Sequence, residues 1–306
     1  QILRDFATLD VEKLEHTAEF FTRLLNANNP RVNAFLASQR NVIIDAYASL
    51  FEVVFSHVSG YTWEVEHYSL LFGPLQQLCA VDGLLEELNA KVLSRFVEIL
   101  LIQLVETNER STVIKAEGGS KAEIDSITKL FSSFNLTMLR VIEFANQNFL
   151  FKALFSIIFS AKDREGQKFL QTISNVAFKC CKKMVKNFSI TINKIDPREI
   201  MILAHQFFVT FGNERESDQA KTVRTLLKEL VVKSDPDYIL RCYNETFSNT
   251  DETIIAKLIL KFQSDTGAEK SVNMELRQYG DDRGDQSELN FNRQTTGAAR
   301  AAQKRN

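Results

Sequence analysis

Apolar residues recur at helical spacing along almost the whole chain. Phe35, Val42, Ala46, Leu50 and Val54 share one face of a long helix predicted to begin near Pro30. Leu85, Leu88, Val92, Phe96 and Ile99 predict a second helix. Ile124, Ile127, Phe131, Phe134, Met138, Val141 and Ala145 form a third stripe, in alternating steps of three and four. No segment keeps a period of two, so the pattern predicts an all-α fold.

Helix boundaries are legible in the polar residues. Asp196-Pro197-Arg198-Glu199 places an N-cap carboxylate, a proline at the first helical position and an acid three residues after the cap. The stripe Ile200, Leu203, Phe207, Phe211 follows, and Gly212 supplies a left-handed end. Asp235-Pro236 repeats the start signal, and Asp251-Glu252 put negative charge before the last helix. Roughly ten or eleven helices of about 12 to 25 residues, joined by short turns, suit a solenoid of stacked HEAT-like helical hairpins.

The expected organisation is a solenoid in two halves. Residues 1–109 form an N-terminal helical-repeat half, and 110–122 a joint containing Glu117-Gly118-Gly119-Ser120. Residues 123–263 form a C-terminal helical-repeat half. Apolar periodicity then stops, and 264–306, rich in Gly, Asp, Gln, Asn and Arg, reads as a disordered tail.

Composition sharpens this picture in three ways. There are 24 phenylalanines against one tryptophan, so the core is expected to be built from Phe, Leu and Ile. The net charge is only −2, which gives no ground for a nucleic-acid partner. Its distribution is uneven: acids outnumber bases by seven over 1–110, and bases outnumber acids by five over 175–234. Two different partner surfaces are implied. Cys79, Cys180, Cys181 and Cys242 lack paired spacing and read as reduced, packed thiols of a cytosolic protein. No signal peptide opens the chain and no apolar run reaches the ~18 residues of a membrane span, so a membrane partner is not expected.

The sequence carries none of the common catalytic or cofactor motifs. His16, His57, His67 and His205 form no His-x-x-x-His or His-Glu-x-x-His arrangement, and no Cys-x-x-Cys accompanies them. Ala116-Glu117-Gly118-Gly119-Ser120-Lys121 lacks the glycine spacing of a phosphate loop and the strand before it. The reading is a non-enzymatic protein with no cofactor and no metal. The Arg283-Gly284-Asp285 tripeptide and the sequons at Asn135, Asn187 and Asn244 carry no further argument.

Protein-binding features are more prominent. Lys179, Lys182, Lys183 and Lys186 recur at i, i+3, i+4 and i+7, away from Phe169, Ile173, Cys180 and Met184 on the same helix. Lys221, Arg224 and Lys228 form a second stripe opposite Val223, Leu227 and Leu230. On neighbouring solenoid helices the two would join into one basic ridge suited to an acidic surface. An ordinary solvated face is the plainer alternative. Trp63, in Gly60-Tyr61-Thr62-Trp63, is either a binding anchor at a turn or a staple of that turn onto the core. The tail adds Arg293, Arg300, Lys304 and Arg305 after acids at Asp281, Asp282, Asp285 and Glu288.

Two stretches resemble a known family. Ile195-Asp196-Pro197-Arg198-Glu199-Ile200-Met201-Ile202-Leu203-Ala204-His205-Gln206-Phe207-Phe208 is similar to a helix in the C-terminal region of TOG-domain microtubule polymerases, the mini spindles and ch-TOG family. Lys221-Thr222-Val223-Arg224-Thr225-Leu226-Leu227-Lys228-Glu229-Leu230-Val231 and Asp235-Pro236-Asp237-Tyr238-Ile239-Leu240 follow in the family's order and spacing. The resemblance implies the targeting end of a microtubule polymerase, located in the cytoplasm and cytoskeleton at centrosomes and spindle poles. It also implies tubulin or the microtubule lattice as partner, with a TACC-type coiled-coil protein as a further one. A general HEAT-type cargo adaptor of intracellular transport is the alternative on the same architecture.

Overall fold

The computed structural model describes residues 11–26, 29–56, 65–164, 166–212, 217–247 and 253–265. Among these, all regular structure is helical. In chain order the helices are α1 (Val11–Asn26), α2 (Pro30–Ser38), α3 (Arg40–Ser56), α4 (Val65–Cys79), α5 (Ala90–Ala116), α6 (Lys121–Phe144) and α7 (Gln147–Asp163). There follow α8 (Lys168–Lys186), the single turn α9 (Phe188–Thr191) with a 3-10 turn at Ile192–Lys194, α10 (Pro197–Phe211), α11 (Asp218–Lys233), α12 (Pro236–Thr246) and α13 (Ile254–Asp265).

The helices stack in two layers. One layer runs α3, α5, α7, α10, α12, each packed on the next, and the other runs α1, α4, α6, α8, α11, α13. The hairpins α5–α6, α7–α8 and α10–α11 cross between the layers. Short turns make the two arms of each hairpin antiparallel, so helices within a layer run parallel. The HEAT-like solenoid expected from the sequence is what the chain forms.

Phenylalanine does much of the joining between hairpins. Phe134 of α6 meets Phe51 (5.3 Å between ring centroids) and Phe55 (5.1 Å) of α3, and Phe72 (4.9 Å) of α4, all edge-on. A second cluster centres on Phe207 of α10, which contacts Phe178 of α8 at 5.7 Å and Phe155 of α7 at 6.5 Å. Edge-to-face pairs at these separations add about 0.5–1.5 kcal/mol each beyond area burial. Polar clamps reinforce the aromatic ones. The Arg95 guanidinium of α5 donates to Asp45, Ser49 and Glu52 of α3, at 2.5, 3.1 and 2.5 Å.

The segment 110–122 is the end of α5, a tight turn and the start of α6. Gly118 takes φ = 74°, which a side chain would disfavour, and its N–H donates to the Lys115 carbonyl. The Gly119 N–H donates to the Ile114 carbonyl at 2.8 Å, completing a Schellman end. A Cβ on Gly119 would collide with Ile114. Ser120 and Glu123 then form a capping box that opens α6. One connected set of buried side chains, from Leu36 to Phe262, includes residues of both flanking helices.

The expected caps are present at Asp196, Asp235 and Gly212: each Asp accepts from a first-turn N–H, and Gly212 sits at φ = 76°. Glu199, read as the acid of a capping box, instead pairs with Lys152 of α7 at 2.7 Å. The last helix is capped by the Thr253 hydroxyl, which accepts from Ala256 N–H at 3.1 Å. Asp251 and Glu252 lie outside the described residues, as does the tail beyond Asp265.

One stripe is corrected. The helix expected from Pro30 is broken at Gln39, and Phe35 and Val42 are 63% and 55% exposed. Leu50 is buried as expected and Ala46 half-buried, the Val54 side chain lies outside what is described, and Leu36, Ile43, Ile44, Tyr47 and Phe51 supply most of the buried face. The break is held by side chains. The Ser38 hydroxyl donates to the Phe35 carbonyl, while Arg40 donates to the Ala37 and Glu87 carbonyls at 2.7 and 2.8 Å. The Phe35 and Leu36 carbonyls also accept from Gln39 N–H at 3.1 Å, and α3 restarts with Ile43, Ile44, Tyr47 and Phe51 inward. The second stripe is buried as expected, but Leu85 and Leu88 belong to the turn before α5.

These burials separate two phenylalanines that look alike in sequence. Phe134→Ala is expected to cost about 3–5 kcal/mol, whereas Phe35→Ala stays within about 0.5 kcal/mol of the parent. Urea unfolding followed by circular dichroism checks both values.

Candidate docking face

Helix α8 is strongly two-faced. Ile173, Ser174, Ala177, Phe178, Cys180, Cys181, Met184 and Val185 are buried in the stack. Lys179, Lys182, Lys183 and Lys186 are all exposed, and none forms an ion pair with another described residue. Their spacing makes each a neighbour of the next along one helix face. Like charges at i, i+3 and i, i+4 destabilise a helix by a few tenths of a kcal/mol per pair. Only the two at the C-terminal turn, Lys183 and Lys186, are offset by the helix dipole. The stripe is therefore a like-charge cluster with no ion-pair partner among the described residues.

The second stripe lies on α11, the parallel neighbour of α8 in the same layer. The first turn of α11 lies beside the middle of α8, where Gln219 Nε2 donates to Asn175 Oδ1 at 3.3 Å. Helical geometry carries the α8-facing edge of α11 from Gln219 through Thr222, Leu226, Glu229 and Lys233. Lys221, Arg224 and Lys228 fall roughly half a turn away, on the α13 side. Lys221 is 3.8 Å from Asp218, Arg224 is half-buried, and Glu229 on the α8 side pairs with Lys233 at 2.9 Å. The two basic stripes thus share one layer but run as separate tracks, with acidic side chains of α11 between them. The single ridge expected from sequence resolves into a strong track on α8 and a weaker one on α11.

Trp63 and the tail cations Arg293, Arg300, Lys304 and Arg305 lie outside the described residues. The Gly118-Gly119 turn offers no anion cradle. The amides of Gly118, Gly119, Ser120 and Glu123 are all donated to local acceptors. Among the described residues, no group of three or more His, Cys, Asp or Glu side chains is placed to hold a metal ion. No helix among them is long and apolar enough to cross a membrane. His205 is packed edge-on against Phe247 at 5.2 Å.

A feature absent from the sequence reading is a cleft of about 460 Å³ at one edge of the stack. It lies between the 81–87 turn, the α6–α7 turn and the connector after α9. Lys194 reaches Glu86 across it at 2.9 Å, a pair 108 residues apart that no local pattern foreshadows. Asn148 fixes the connector by donating to the Lys194 carbonyl and accepting from Asp196 N–H. Glu143, on its wall, is paired with Arg140. The Lys194–Glu86 pair and the Asn148 hydrogen bonds tie the 81–87 turn, α7 and the connector together around the cleft.

All four cysteines are free and buried. Burial pushes the Cys79 and Cys180 thiols up to about 12 and raises Cys181 further, so these three stay neutral well above ordinary thiol pH. Unfolding lowers these values, so the unfolded chain releases protons first. Stability should consequently fall as pH rises from about 9 towards 12, with a thiol-specific reagent showing no fast-reacting Cys79, Cys180 or Cys181 in the native chain at pH 8. At neutral pH, Lys179→Gln removes two like-charge contacts at little change in helix propensity. It is expected to stabilise by about 0.5 kcal/mol at low salt, a gain that shrinks at 0.5 M salt. Thermal unfolding at two ionic strengths reads this.

No protein-family model, curated protein or solved structure matches the chain.

Proposed function

We propose that this chain is a non-catalytic, microtubule-associated scaffold, the docking and targeting region of a microtubule polymerase that acts at centrosomes and spindle. The observation that carries the reading is the α8 track: Lys179, Lys182, Lys183 and Lys186, exposed in a row with no ion-pair partner among the described residues. A row of mutually repelling cations is suited to an acidic lattice such as the tubulin surface, where complementary charge speeds and orients association. The resemblance of 195–208 and 221–240 to TOG-domain polymerases supports the choice of that partner over other acidic proteins. The solenoid supports it too, because stacked hairpins present a long, rigid surface without a central pocket. Lys221, Arg224 and Lys228 form an accessory contact one helix away, and a TACC-type coiled coil is a second acidic partner of the same face.

Co-sedimentation with stabilised microtubules tests the proposal. Reversal of Lys179, Lys182, Lys183 and Lys186 to Glu is expected to weaken binding tenfold or more, about 1.4 kcal/mol or above, with unchanged helicity. Reversal of Lys221 and Lys228 is expected to weaken it less. Equal binding by native and reversed chains would return the track to a plain solvated face. Failure of the native chain to bind at all would remove the microtubule reading.

A further inference from the structure

The cleft at the edge of the stack holds an acceptor that the fold leaves unused. Gln147, the first residue of α7, is only 5% exposed and forms part of the cleft wall. Its Nε2 donates to the Ile142 and Ala145 carbonyls at 3.1 and 2.9 Å. Carbonyl oxygens only accept, so these two bonds fix which way the amide points. Gln147 Oε1 is left with no hydrogen-bond donor among the described residues. What exposure the side chain keeps is towards the cleft. A free acceptor on so buried a residue calls for a donor from outside.

The surrounding side chains set the sign and shape of that donor. Asp82, Glu86 and Glu143 line the cleft against a single cation, Lys194. Glu86 is paired with Lys194 at 2.9 Å and Glu143 with Arg140 at 3.2 Å. The Asp82 carboxylate has no ion-pair partner among the described residues. Helix α6 ends and α7 begins at the cleft, so their dipoles oppose each other and the side-chain charges decide the sign. Lys194 already lies across the cleft to Glu86, which shows that this surface accommodates a long basic side chain. The rest of the wall is apolar: Leu85 is buried, Phe144 is half-buried and Ile190 is 82% exposed. A volume of about 460 Å³ falls within the roughly 300–1,000 Å³ of small-ligand sites.

We infer that this cleft is a docking pocket for an arginine side chain of a partner protein, flanked there by apolar residues that cover Ile190. A guanidinium spreads five N–H donors over one plane, so a single group can address both the Gln147 oxygen and the Asp82 carboxylate. An ammonium is a compact point charge and holds its water more tightly. The aliphatic stem and flat face of arginine also suit the Leu85 and Phe144 wall. The pocket shares no residue with the α8 track and does not rest on the microtubule reading.

The test titrates the full chain, methyl-labelled at isoleucine and leucine, with blocked tripeptides carrying arginine, lysine or citrulline between two leucines. The arginine peptide is expected to shift the Ile190 and Leu85 methyl signals with about millimolar affinity. Citrulline keeps the shape without the charge and should bind about tenfold more weakly or worse. Lysine should also bind more weakly than arginine. Asp82→Asn, at an exposed position, should weaken the arginine peptide about three- to fivefold. Gln147 also holds the α6–α7 turn, so the ligand and Asp82 are varied in its place. Equal binding of the arginine and citrulline peptides, or shifts that spare Ile190 and Leu85, overturn the inference. Lysine binding as tightly as arginine overturns the choice of a guanidinium. No microtubule is present, so the docking proposal and this one fail independently.

Discussion

A helical hairpin of this chain cannot bury its own apolar surface, and that constraint organises everything else. Phe134 has its ring partners on α3 and α4, in the preceding part of the stack, and Phe178 of α8 reaches its partner on α10 in the next hairpin. Each hairpin is therefore completed by its neighbours, through aromatic contacts reinforced by clamps such as Arg95 to Asp45 and Glu52. Cohesion of this kind fixes the direction and spacing of helices within a layer. It also decides which residues are left facing outward.

The outward residues carry the functional argument. Once Cys180, Cys181, Met184 and Val185 are drawn into the stack, helical geometry leaves Lys179, Lys182, Lys183 and Lys186 no choice but the outer surface. The same geometry turns Lys221, Arg224 and Lys228 away from them, because Val223, Leu226, Leu227 and Leu230 are the residues of α11 drawn into the stack. Parallel packing then brings the ends of α8, α11 and α13 to one edge of the stack. The proposed docking role draws on that arrangement.

Signals in the sequence hold in the structure wherever their physics is local. Asp196, Asp235 and Gly212 act within one helical turn, and the α6 stripe from Ile127 to Ala145 is buried or half-buried throughout. Signals that depend on distant partners were not legible. Phe35 and Val42 fit a continuous helical stripe, but Arg40 breaks that helix by bonding to a carbonyl 47 residues away. Glu199 fits a capping box but finds Lys152, and Lys194 finds Glu86. The α8 lysines were identifiable from spacing alone because an amphipathic helix has only one outer side. Their separation from the α11 stripe was not, since it requires the angle between two helices.

The central claim is that the α8 track is where an acidic lattice docks, and contact mapping addresses it most directly. Zero-length carbodiimide coupling of the full chain to stabilised microtubules, read by mass spectrometry, reports which lysines touch tubulin carboxylates. The account predicts cross-links concentrated at Lys179, Lys182, Lys183 and Lys186, with fewer at Lys221 and Lys228. Cross-links spread evenly over the exposed lysines, or confined to helices other than α8 and α11, would contradict it.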